Sequence, residues 1–567
     1  MIYSCDDPLA APLIGPGGPY EVMTVELRGL PCEVFRRHPT TLLGIFEAGR
    51  ARGADPLIED AQNAWSFADV YRRADALSAQ LQGKFAVAPG ACVAIALGSR
   101  MEWLAAFIAT VQIGGIAVLV NTRGSVEEMV RALTLTQCHV VFADRERAEL
   151  LRGDDTSWPM VLVDAADLVR PDRDLSFESA VSAGGRPTPV VVDEGDGAAI
   201  LFTSGTNGFP KAALLTHRCV THGVVTTGMT ADLHDLHHQA QTGRPLDPER
   251  PSRISPTVVA GPMFHVGGVV PFLRSLYFGG PLVMMTKWNT EAAFDLLDRE
   301  RPSRMWCVPT MLWDMLHSHR ASGEGLRSLM HLVSGAATLP PALAREVDAQ
   351  LPNCMLWTSY GSTEATGPVT TFGGREFVEH LESCGRPLPT MRIRIVRDDG
   401  ADAEPGEPGE ICVSGANVFG GYVGDPAATQ EAFADGWLRM GDIGFMDEAG
   451  RLHIVDRKKN MIISGGQNIY CAEVERVLVE HPAVAEAIVY GLPDPRLGER
   501  LAATVVLRSD AASTPEDLQA HVRAHLAIYK TPREVRLTRE PLPRTATGKQ
   551  DRGAFKRGLI DGGETEA

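Results

Sequence analysis

The sequence predicts an α/β protein: a large N-terminal layered domain followed by a small C-terminal α+β domain. Strand-like and helix-like segments alternate, with an apolar strand at ACVAIALGS (91–99), a helical period at MEWLAAFIATVQIG (101–114) and a further strand at HVVFAD (139–144). The 567 residues also exceed what one hydrophobic core usually covers. Finally, the composition changes near residue 456, which indicates a second, smaller domain.

We divide the chain into a Pro- and Gly-rich lead-in (1–40), which we expect to be loosely structured, a large domain (41–456) and a small domain (457–567), with the boundary at Asp456–Lys459. Before this boundary, GWLRMGDIGFMDEAGRLHIVDR (436–457) is typical of turns and short strands. After it, AEVERVLVEHPAVAEAIVYGLPD (472–494) predicts a helix and then a strand. A strand at 502–507 and a helix near 515–527 follow, so this part is about the smallest unit expected to fold alone.

Residues 230–253 are polar and end in a Pro- and Arg-rich stretch, which predicts a surface excursion. His234, His237 and His238 could share a helix face and bind a metal ion. We favour a solvated polar loop, because no cysteine or further ligand lies nearby in the sequence.

Composition excludes several classes of protein. The net charge is -17, which argues against general nucleic-acid binding and against docking on anionic lipid, a local basic patch aside. The ten cysteines contain no CxxC pair, so they form neither a zinc pattern nor a disulfide framework, and a reducing compartment fits them best. The start, MIYSCDDPLAAPL, lacks the features of a signal peptide.

The longest apolar stretch, FIATVQIGGIAVLV (107–120), contains Gln112 and two glycines. It is too short for a membrane helix and predicts a buried helix followed by a strand. We therefore expect a cytoplasmic protein without a transmembrane segment.

The segment LFTSGTNGFPKAALLTH (201–217) predicts a phosphate-binding loop after an apolar strand. Consecutive N–H groups in a glycine-rich turn form a concavity for anions. The loop adds hydroxyls, flexible glycines and a cation, namely Thr203, Ser204, Gly205, Thr206, Gly208 and Lys211. It fails the Walker A pattern twice, because Pro210 occupies the glycine position and Ala212 follows the lysine. On this segment alone, an ordinary Ser/Thr/Gly turn remains an alternative.

Four further motifs follow in the chain: YGSTEATG (360–367), GWLRMGD (436–442), VDRKKN (455–460) and PRTATGKQDR (543–552). Together with TSGTNGFPK (203–211), they resemble those of the adenylate-forming superfamily, which includes acyl- and aryl-CoA synthetases, firefly luciferase and the adenylation domains of peptide synthetases. The resemblance covers roughly residues 40 to 557. Asn207 departs from the threonine of the usual TSGTTGxPK motif.

This resemblance implies a fold of mixed sheets with a small β-barrel-like subdomain and a mobile C-terminal domain. It also implies the nucleotide site. Tyr360 packs on adenine beside Gly361 and Ser362, and Thr363 and the catalytic Thr206 reach phosphate. Glu364 binds Mg²⁺, which prefers oxygen ligands. Asp442 accepts hydrogen bonds from the ribose hydroxyls and Arg457 donates to the same ribose.

The acyl site is implied by three single residues. Lys549 is the lysine of the C-terminal motif, whose compact charge can span a carboxylate and a phosphate. His265, in PMFHVGG (262–268), lies near the reacting carboxylate, with a packing histidine as the alternative. Gly335, in SGAATLP (334–340), lines the adenine and acyl pocket, and simple close packing is nearly as good an account of it.

The resemblance implies two half-reactions separated by rotation of the small domain. A carboxylate first attacks the α-phosphate of ATP, which gives acyl-AMP and pyrophosphate, and a thiol then displaces AMP. Lys459 is the expected hinge. Gly465 and Gly466 line the pantetheine tunnel, with a plain tight turn as the alternative.

We therefore expect an AMP-forming acyl-CoA synthetase that uses ATP, Mg²⁺ and coenzyme A. The apolar run Val266–Val270, with no charge to meet an α-amino group, favours a hydrophobic acid, in the first place a fatty acid. The main alternative is a stand-alone adenylation enzyme that loads an aryl or acyl group onto a carrier-protein pantetheine. The expected partners are a small carboxylic acid, ATP and CoA but no nucleic acid, and a homodimer is left open.

Overall fold

The computed structural model describes residues 1–60, 63–152, 158–203, 210–249, 251–259, 261–285, 288–335, 339–464, 467–509, 511–544, 550, 552, 554–555 and 558. The chain forms two compact units. The larger comprises Ile2–Ile393 and Val413–Leu438, and the smaller comprises Arg394–Cys412 and Arg439–Ala567 together with Met1. The smaller unit thus begins before Asp456, because residues 439–457 belong to it. A hinge at Lys459 stays a prediction.

The larger unit alternates helices and strands. Its α-helices are Ala11–Ile14, Leu42–Arg50, Phe67–Gly83, Met101–Val111, Val126–Leu135, Arg145–Arg152, Phe177–Ala183, His217–Thr242, Val266–Phe278, Thr290–Glu300, Pro309–Leu316, Glu324–Arg327, Pro341–Gln350, Gly374–Glu379 and Pro426–Ala432, with 3-10 turns at Ala166–Leu168 and Ser252–Ile254. Its strands outside the eight-stranded sheet are Ile2–Tyr3, Val22–Leu27, Leu30–Phe35, Pro56–Glu59, Ala64–Ser66, Thr257–Val259, Leu282–Met284, Arg304–Cys307, His331–Ser334, Met355–Thr358, Gly361–Ser362, Gly367–Pro368, Thr370–Gly373, Ser383–Pro387 and Phe433–Ala434. Three strands cross the unit boundary, namely Met391–Val396, Gly409–Gly415 and Trp437–Met446.

An eight-stranded sheet forms the first core of this unit. Its order is Leu175–Ser176, Met160–Val163, Val140–Asp144, Cys92–Ala96, Ile116–Leu119, Gly197–Thr203, Lys211–Thr216 and Gly421–Tyr422. The first six are parallel and the last two are antiparallel to their neighbours. The parallel strands are almost entirely buried, as helix-covered strands must be, which explains their unbroken apolar sequences. The predicted strands at 91–99 and 139–144 and the helix at 101–114 are confirmed.

Three parallel strands, Arg304–Cys307, His331–Ser334 and Met355–Thr358, form the second important layer. Thr370–Gly373 then pairs antiparallel with Met355–Thr358. One face of the parallel strands contributes Met305, Leu332 and Leu356 to an apolar core. The opposite face carries Trp306, Val333 and Trp357, which pack together. The two faces alternate because successive side chains of a strand point in opposite directions.

The prediction that residues 1–40 are loosely structured is wrong. Val22–Leu27 and Leu30–Phe35 pair along their whole length as a hairpin. Tyr20 and Phe35, only 2% and 5% exposed, pack against the His217–Thr242 helix at Val225 and Met229. Burial of these aromatic side chains orders the segment, whereas its Pro and Gly content had indicated a loose structure.

The polar loop predicted for residues 230–253 is also wrong, since residues up to 242 belong to the 26-residue helix His217–Thr242. His234 and His238 are buried, and the ring of His234 stacks on that of Trp357 with centroids 3.4 Å apart. Histidines that look solvated in the sequence therefore form a polar layer inside the unit. Within the described ranges, no group of three or more His, Cys, Asp or Glu side chains is arranged to hold a metal ion.

Three buried histidines of this unit share one hydrogen-bonding arrangement. In each, Nδ1 accepts from a group that can only donate: the Leu42 amide for His217 at 3.2 Å, the Arg304 guanidinium for His234 at 2.9 Å and the Trp357 indole for His331 at 3.2 Å. Burial lowers the pKa of His217 and of His331 to about 4, and lowers that of His234 as well. These rings are therefore neutral at physiological pH.

The smaller unit contains a sheet in the order Gln467–Ile469, Ile462–Ser464, Gly498–Leu507 and Val484–Asp494, with Glu534–Thr538 also paired to Gly498–Leu507. Helices Cys471–Glu480 and Pro515–His525, the strand Leu452–Arg457 and 3-10 turns at Lys458–Asn460 and Ile528–Lys530 complete it. The second helix begins where Thr514 and Asp517 form a capping box, with Pro515 at its first turn. The helix and strands predicted over 472–527 are confirmed.

The large and small α/β units together confirm the predicted fold class. Of the helices that the structure describes, none has both the length and the apolar character needed to cross a membrane.

Candidate active site

The predicted phosphate loop joins two paired strands of the eight-stranded sheet. Gly197–Thr203 and Lys211–Thr216 are antiparallel, and Thr203 pairs directly with Lys211. The register fixes both ends of the loop, so its entry and exit are held side by side. Five predicted site residues, Ser204, Gly205, Thr206, Asn207 and Gly208, lie outside the described residues.

The YGSTE segment forms a tight hairpin in which Gly361–Ser362 pairs with Gly367–Pro368. A Cβ atom at Gly361 would lie 2.0 Å from the carbonyl oxygen of Gly367, so only glycine fits there. Tyr360 is buried, and its carbonyl accepts hydrogen bonds from the amides of Val369 and Thr370 at 2.7 and 3.2 Å. The hairpin is thus anchored at its base.

The hairpin turn presents Thr363 and Glu364, and Glu364 is fixed at two points. Its carbonyl oxygen accepts from the Phe419 amide at 2.8 Å, and its carboxylate Oε1 accepts from the hydroxyl of Tyr422 at 2.9 Å. Within the described part of the chain, Glu364 Oε2 has no hydrogen-bond partner. A carboxylate with one free oxygen has the chemistry that Mg²⁺ requires.

Tyr422 joins this carboxylate to the phosphate loop. Its backbone pairs with Ala213 in the strand that leaves the loop, and the ammonium group of Lys211 lies 4.9 Å from its ring centroid. Burial and the neighbouring Glu364 charge raise the pKa of the phenol, which therefore keeps its proton. Tyr422 lies outside the motifs predicted from the sequence, although its place in GGYVGD beside glycines was a signal.

A second set of residues surrounds the ring of Trp306. A Cβ atom at Gly335 would lie 3.1 Å from Trp306 Nε1 and 3.7 Å from the Ser359 hydroxyl, and one at Gly267 would lie 3.8 Å from Cη2 of the same ring. The indole therefore spans from the helix start after His265 to the loop before Tyr360. Trp306 is partly exposed and was also missed, because one sequence does not reveal which parallel strands are neighbours.

His265 is the residue immediately before the helix Val266–Phe278. Its carbonyl accepts from the amides of Gly268 and Val269 at 2.9 and 3.0 Å, and its half-buried ring lies 4.5 Å from that of Phe264. The backbone thus holds the imidazole at the end of the helix nearest Gly267. In the larger unit, the structure brings the His265 segment, Gly335 and the Tyr360 segment together around Trp306.

In the smaller unit, Asp442 and Arg457 are directly paired across an antiparallel hairpin. Nε of Arg457 lies 2.7 Å from Oδ1 of Asp442. The carboxylate side chain is only 5% exposed, whereas the arginine side chain is 52% exposed. The two residues predicted to bind the ribose therefore form an ion pair whose cation faces solvent, and their ribose role stays a prediction.

The residues after Arg457 are held by Asp456. Its Oδ1 accepts from the Arg457 amide at 2.6 Å and from the Asn460 side chain at 3.3 Å, and its Oδ2 accepts from the Ala472 amide at 2.8 Å at the start of a helix. Lys459 lies in the 3-10 turn between these points. Gly465, Gly466 and Lys549 lie outside the described residues.

Comparison with known proteins identifies the class. Residues 45–423 match the family described as AMP-binding enzyme, and residues 473–549 match the AMP-binding enzyme C-terminal domain. The chain therefore belongs to the AMP-binding, adenylate-forming enzymes. It is an AMP-forming acid–thiol ligase that acts on an aryl or acyl acid through an acyl-adenylate, with ATP and CoA as substrates. A solved neighbour, the o-succinylbenzoate CoA synthetase of Bacillus subtilis, holds ATP together with a magnesium ion.

Individual relatives agree with this class. A feruloyl-CoA synthase of an Amycolatopsis species is 34% identical over 523 residues, which is 91% of this chain and 98% of the relative. An indoleacetate–CoA ligase of Aromatoleum aromaticum is 34% identical over 490 residues, or 85% and 89% of the two chains. The o-succinylbenzoate CoA synthetase of Bacillus subtilis, solved with its acyl-adenylate, has a TM-score of 0.75 at 26% identity and covers 90% of this chain and 97% of its own.

Proposed function

We propose that this protein activates an aromatic carboxylic acid as its acyl-adenylate and then transfers the acyl group to coenzyme A. The observation that carries the proposal is the arrangement in the larger unit. There, a phosphate loop fixed at both ends, a carboxylate whose second oxygen has no partner among the described residues, and a partly exposed indole ring beside two glycines belong to adjoining segments.

We assign the nucleotide to the residues that the motifs predicted. Segment 203–211 holds the triphosphate, with Thr206 as a catalytic donor. Tyr360 packs on the adenine, and Thr363 donates to phosphate. Gly361 supports this role, because the close approach of the two hairpin strands sets where the Tyr360 ring and the Thr363 hydroxyl lie.

The first step joins a carboxylate oxygen to the α-phosphorus while the bond to the bridging oxygen of the β-phosphate breaks, so pyrophosphate leaves. Glu364 would hold Mg²⁺, which would supply positive charge next to the phosphates. Lys549 and His265 orient the attacking carboxylate. No covalent enzyme intermediate is needed, since positioning of the two reactants accounts for most of the rate.

In the smaller unit, Asp442 accepts from the ribose hydroxyls and Arg457 donates to them. The 2.7 Å ion pair supports this assignment, because it orients the buried carboxylate before the nucleotide binds. In the second step, the thiol of CoA attacks the acyl carbonyl and AMP leaves with the bonding electrons. We place the pantetheine arm at Gly465 and Gly466, after a rotation about Lys459.

The acyl group is proposed to be aromatic rather than the fatty acid expected from the apolar run 266–270. Trp306 offers a flat, partly exposed ring, and Gly267 and Gly335 lie close to its two ends, where a larger side chain would meet the ring. In the part of the chain that the structure describes, the Trp306 indole N–H has no hydrogen-bond partner, so it can donate to a polar substituent on a bound ring. Relatives named for feruloyl, indoleacetate and succinylbenzoate substrates support the same class.

The test is pyrophosphate release measured across a panel of aryl, aryl-alkyl and fatty acids, with and without CoA. We expect aryl acids to be used best, with acyl-AMP accumulating in the absence of CoA and a CoA thioester forming in its presence without any carrier protein. Trp306→Ala should shift the preference towards larger acids. Trp313→Ala, which removes a tryptophan that is 52% exposed, serves as the control. A preference for fatty acids in the native protein would overturn the aromatic assignment.

A further inference from the structure

We propose that Tyr422 is a positioning residue that keeps Glu364 and Lys211 apart, so that the carboxylate serves the metal and the lysine serves the phosphates. The inference rests on the proposed function, since it concerns the Mg·ATP complex that the site binds. Tyr422 contacts both charged residues from a third segment of the chain, which belongs to neither nucleotide motif.

The contact to Glu364 controls one carboxylate oxygen. The phenol donates to Oε1 at 2.9 Å, while the Phe419 amide holds the main chain of the same residue at 2.8 Å. A carboxylate held at its backbone and at Oε1 has one remaining oxygen and little rotational freedom. Oε2 is therefore presented in a fixed direction, as hydrogen-bonded carboxylate ligands of metals generally are.

The contact to Lys211 controls the cation. Its ammonium group lies over the Tyr422 ring at 4.9 Å, a distance at which the ring face attracts a positive charge. Glu364 meets the hydroxyl of the same ring. Among the described residues, Lys211 and Glu364 form no ion pair with each other. The Tyr422 side chain thus contacts the two opposite charges at different places, Lys211 at the ring face and Glu364 at the hydroxyl.

Tyr422 itself is held firmly enough to do this. Its backbone pairs with Ala213, two residues after Lys211, and its amide donates to the Thr429 hydroxyl at 2.8 Å. The ring also packs edge-on against Phe419, with centroids 4.9 Å apart. The position of the ring is therefore set by the phosphate-loop strand and by the segment that holds Glu364.

Loss of the phenol has two consequences. Without the hydrogen bond from Tyr422, the Glu364 carboxylate is free to rotate. Metal binding is then weaker, because it has to order the carboxylate. Without the ring, Lys211 is free to pair with Glu364, which withdraws a cation from the phosphates and a ligand from the metal. Tyr422→Phe removes only the hydroxyl, whereas Tyr422→Leu removes the ring as well.

The experiment measures equilibrium ATP binding by calorimetry, with Mg²⁺ titrated and with the metal chelated, in the absence of acid and CoA. Tyr422→Phe should raise the Mg²⁺ concentration for half-maximal enhancement of ATP binding about tenfold, the usual cost of removing a partner of a metal ligand. It should leave metal-free ATP binding unchanged. Tyr422→Leu should also weaken metal-free ATP binding, about two- to fivefold, which corresponds to the loss of a cation–π contact.

Tyr20→Phe is the matched control. It removes a phenol–carboxylate hydrogen bond of 2.8 Å, from Tyr20 to Asp232, in the same unit. Its Mg²⁺ dependence should equal that of the native protein. The double variant Tyr422→Phe/Glu364→Gln should show no further loss beyond Glu364→Gln alone, because the two residues act through one contact.

Three results would overturn the inference: a Tyr422→Phe protein with native Mg²⁺ dependence, the same shift in Tyr20→Phe, or additive losses in the double variant. Failure of the nucleotide assignment, on which the inference rests, looks different, since the native protein would then bind no Mg·ATP at all. Unfolding midpoints of the variants, measured in parallel, separate a positioning effect from loss of the fold.

Discussion

Acid should destabilise the larger unit well above the pH at which carboxylates titrate. His217 and His331 each use Nδ1 to accept from a group that cannot accept in return, and burial holds the pKa of each near 4. His222, which stacks on Phe35, has its pKa lowered to about 4 by burial as well. Protonation of His217 or His331 would place two donors face to face.

The sign follows from proton binding. The unfolded histidine has a pKa of about 6.5, so between pH 6.5 and 4 the unfolded chain binds more protons than the folded one, and stability falls as the pH falls. Lowering the pH from 7.5 to 5.5 costs about 1.3 kcal/mol for each such histidine, or about 4 kcal/mol for the three together. His234 acts in the same direction. Asp232, whose pKa is raised by burial, offsets part of the loss.

The assay is urea unfolding of the native protein at several pH values, compared with His217→Asn. The asparagine oxygen can still accept from the Leu42 amide but takes up no proton. We therefore expect this variant to lose about 1.3 kcal/mol of the change in stability between pH 7.5 and 5.5, whatever its absolute stability. His319→Asn, at a side chain that is 81% exposed, is the control. Equal pH dependence in His217→Asn and the native protein would refute the assignment of neutral buried rings.

Three further predictions concern the nucleotide and acyl steps. Lys549→Ala should abolish acyl-AMP formation while largely sparing thioester formation from supplied acyl-AMP. Equal loss in both half-reactions would contradict a rotation of the small domain between them. Gly361→Ala should prevent ATP binding, because its Cβ would lie 2.0 Å from the Gly367 carbonyl oxygen. The affinity for ATP is measured by equilibrium dialysis, and a native affinity in the variant would contradict this prediction. Asp442→Asn should raise the KM for ATP about tenfold or more through loss of a charged acceptor. If the 2′-hydroxyl is the partner of Asp442, the substitution should change the KM for dATP less than the KM for 3′-deoxy-ATP.

The nucleotide motifs could be predicted from the sequence because each is local. Thr203 and Lys211 are neighbours across one hairpin, and Asp442 and Arg457 face each other across another. Residues that lie within a turn or hairpin of one another keep their spacing whatever the rest of the fold does. The same locality explains why the helix at 101–111 and the strand at 140–144 were found.

Contacts between distant segments could not be predicted. Tyr422 reaches Glu364 across 58 residues, and Trp306 meets Gly267 and Gly335 only because helix and strands pack in one particular order. His234 was assigned to a solvated loop because its sequence neighbours are polar. Its actual partners, Trp357 and Arg304, lie far along the chain. Burial of a polar residue depends on partners that a local pattern does not contain.

The central claim is attack of a carboxylate on the α-phosphorus of ATP, and isotope transfer tests it most directly. An aryl acid labelled with ¹⁸O in its carboxylate is turned over with ATP and CoA, and the products are analysed by mass spectrometry. One labelled oxygen should appear in AMP and none in pyrophosphate, because the carboxylate oxygen that bonds to phosphorus leaves with AMP when the thiol attacks. Label in inorganic phosphate, with ADP as the nucleotide product, would contradict the adenylate route.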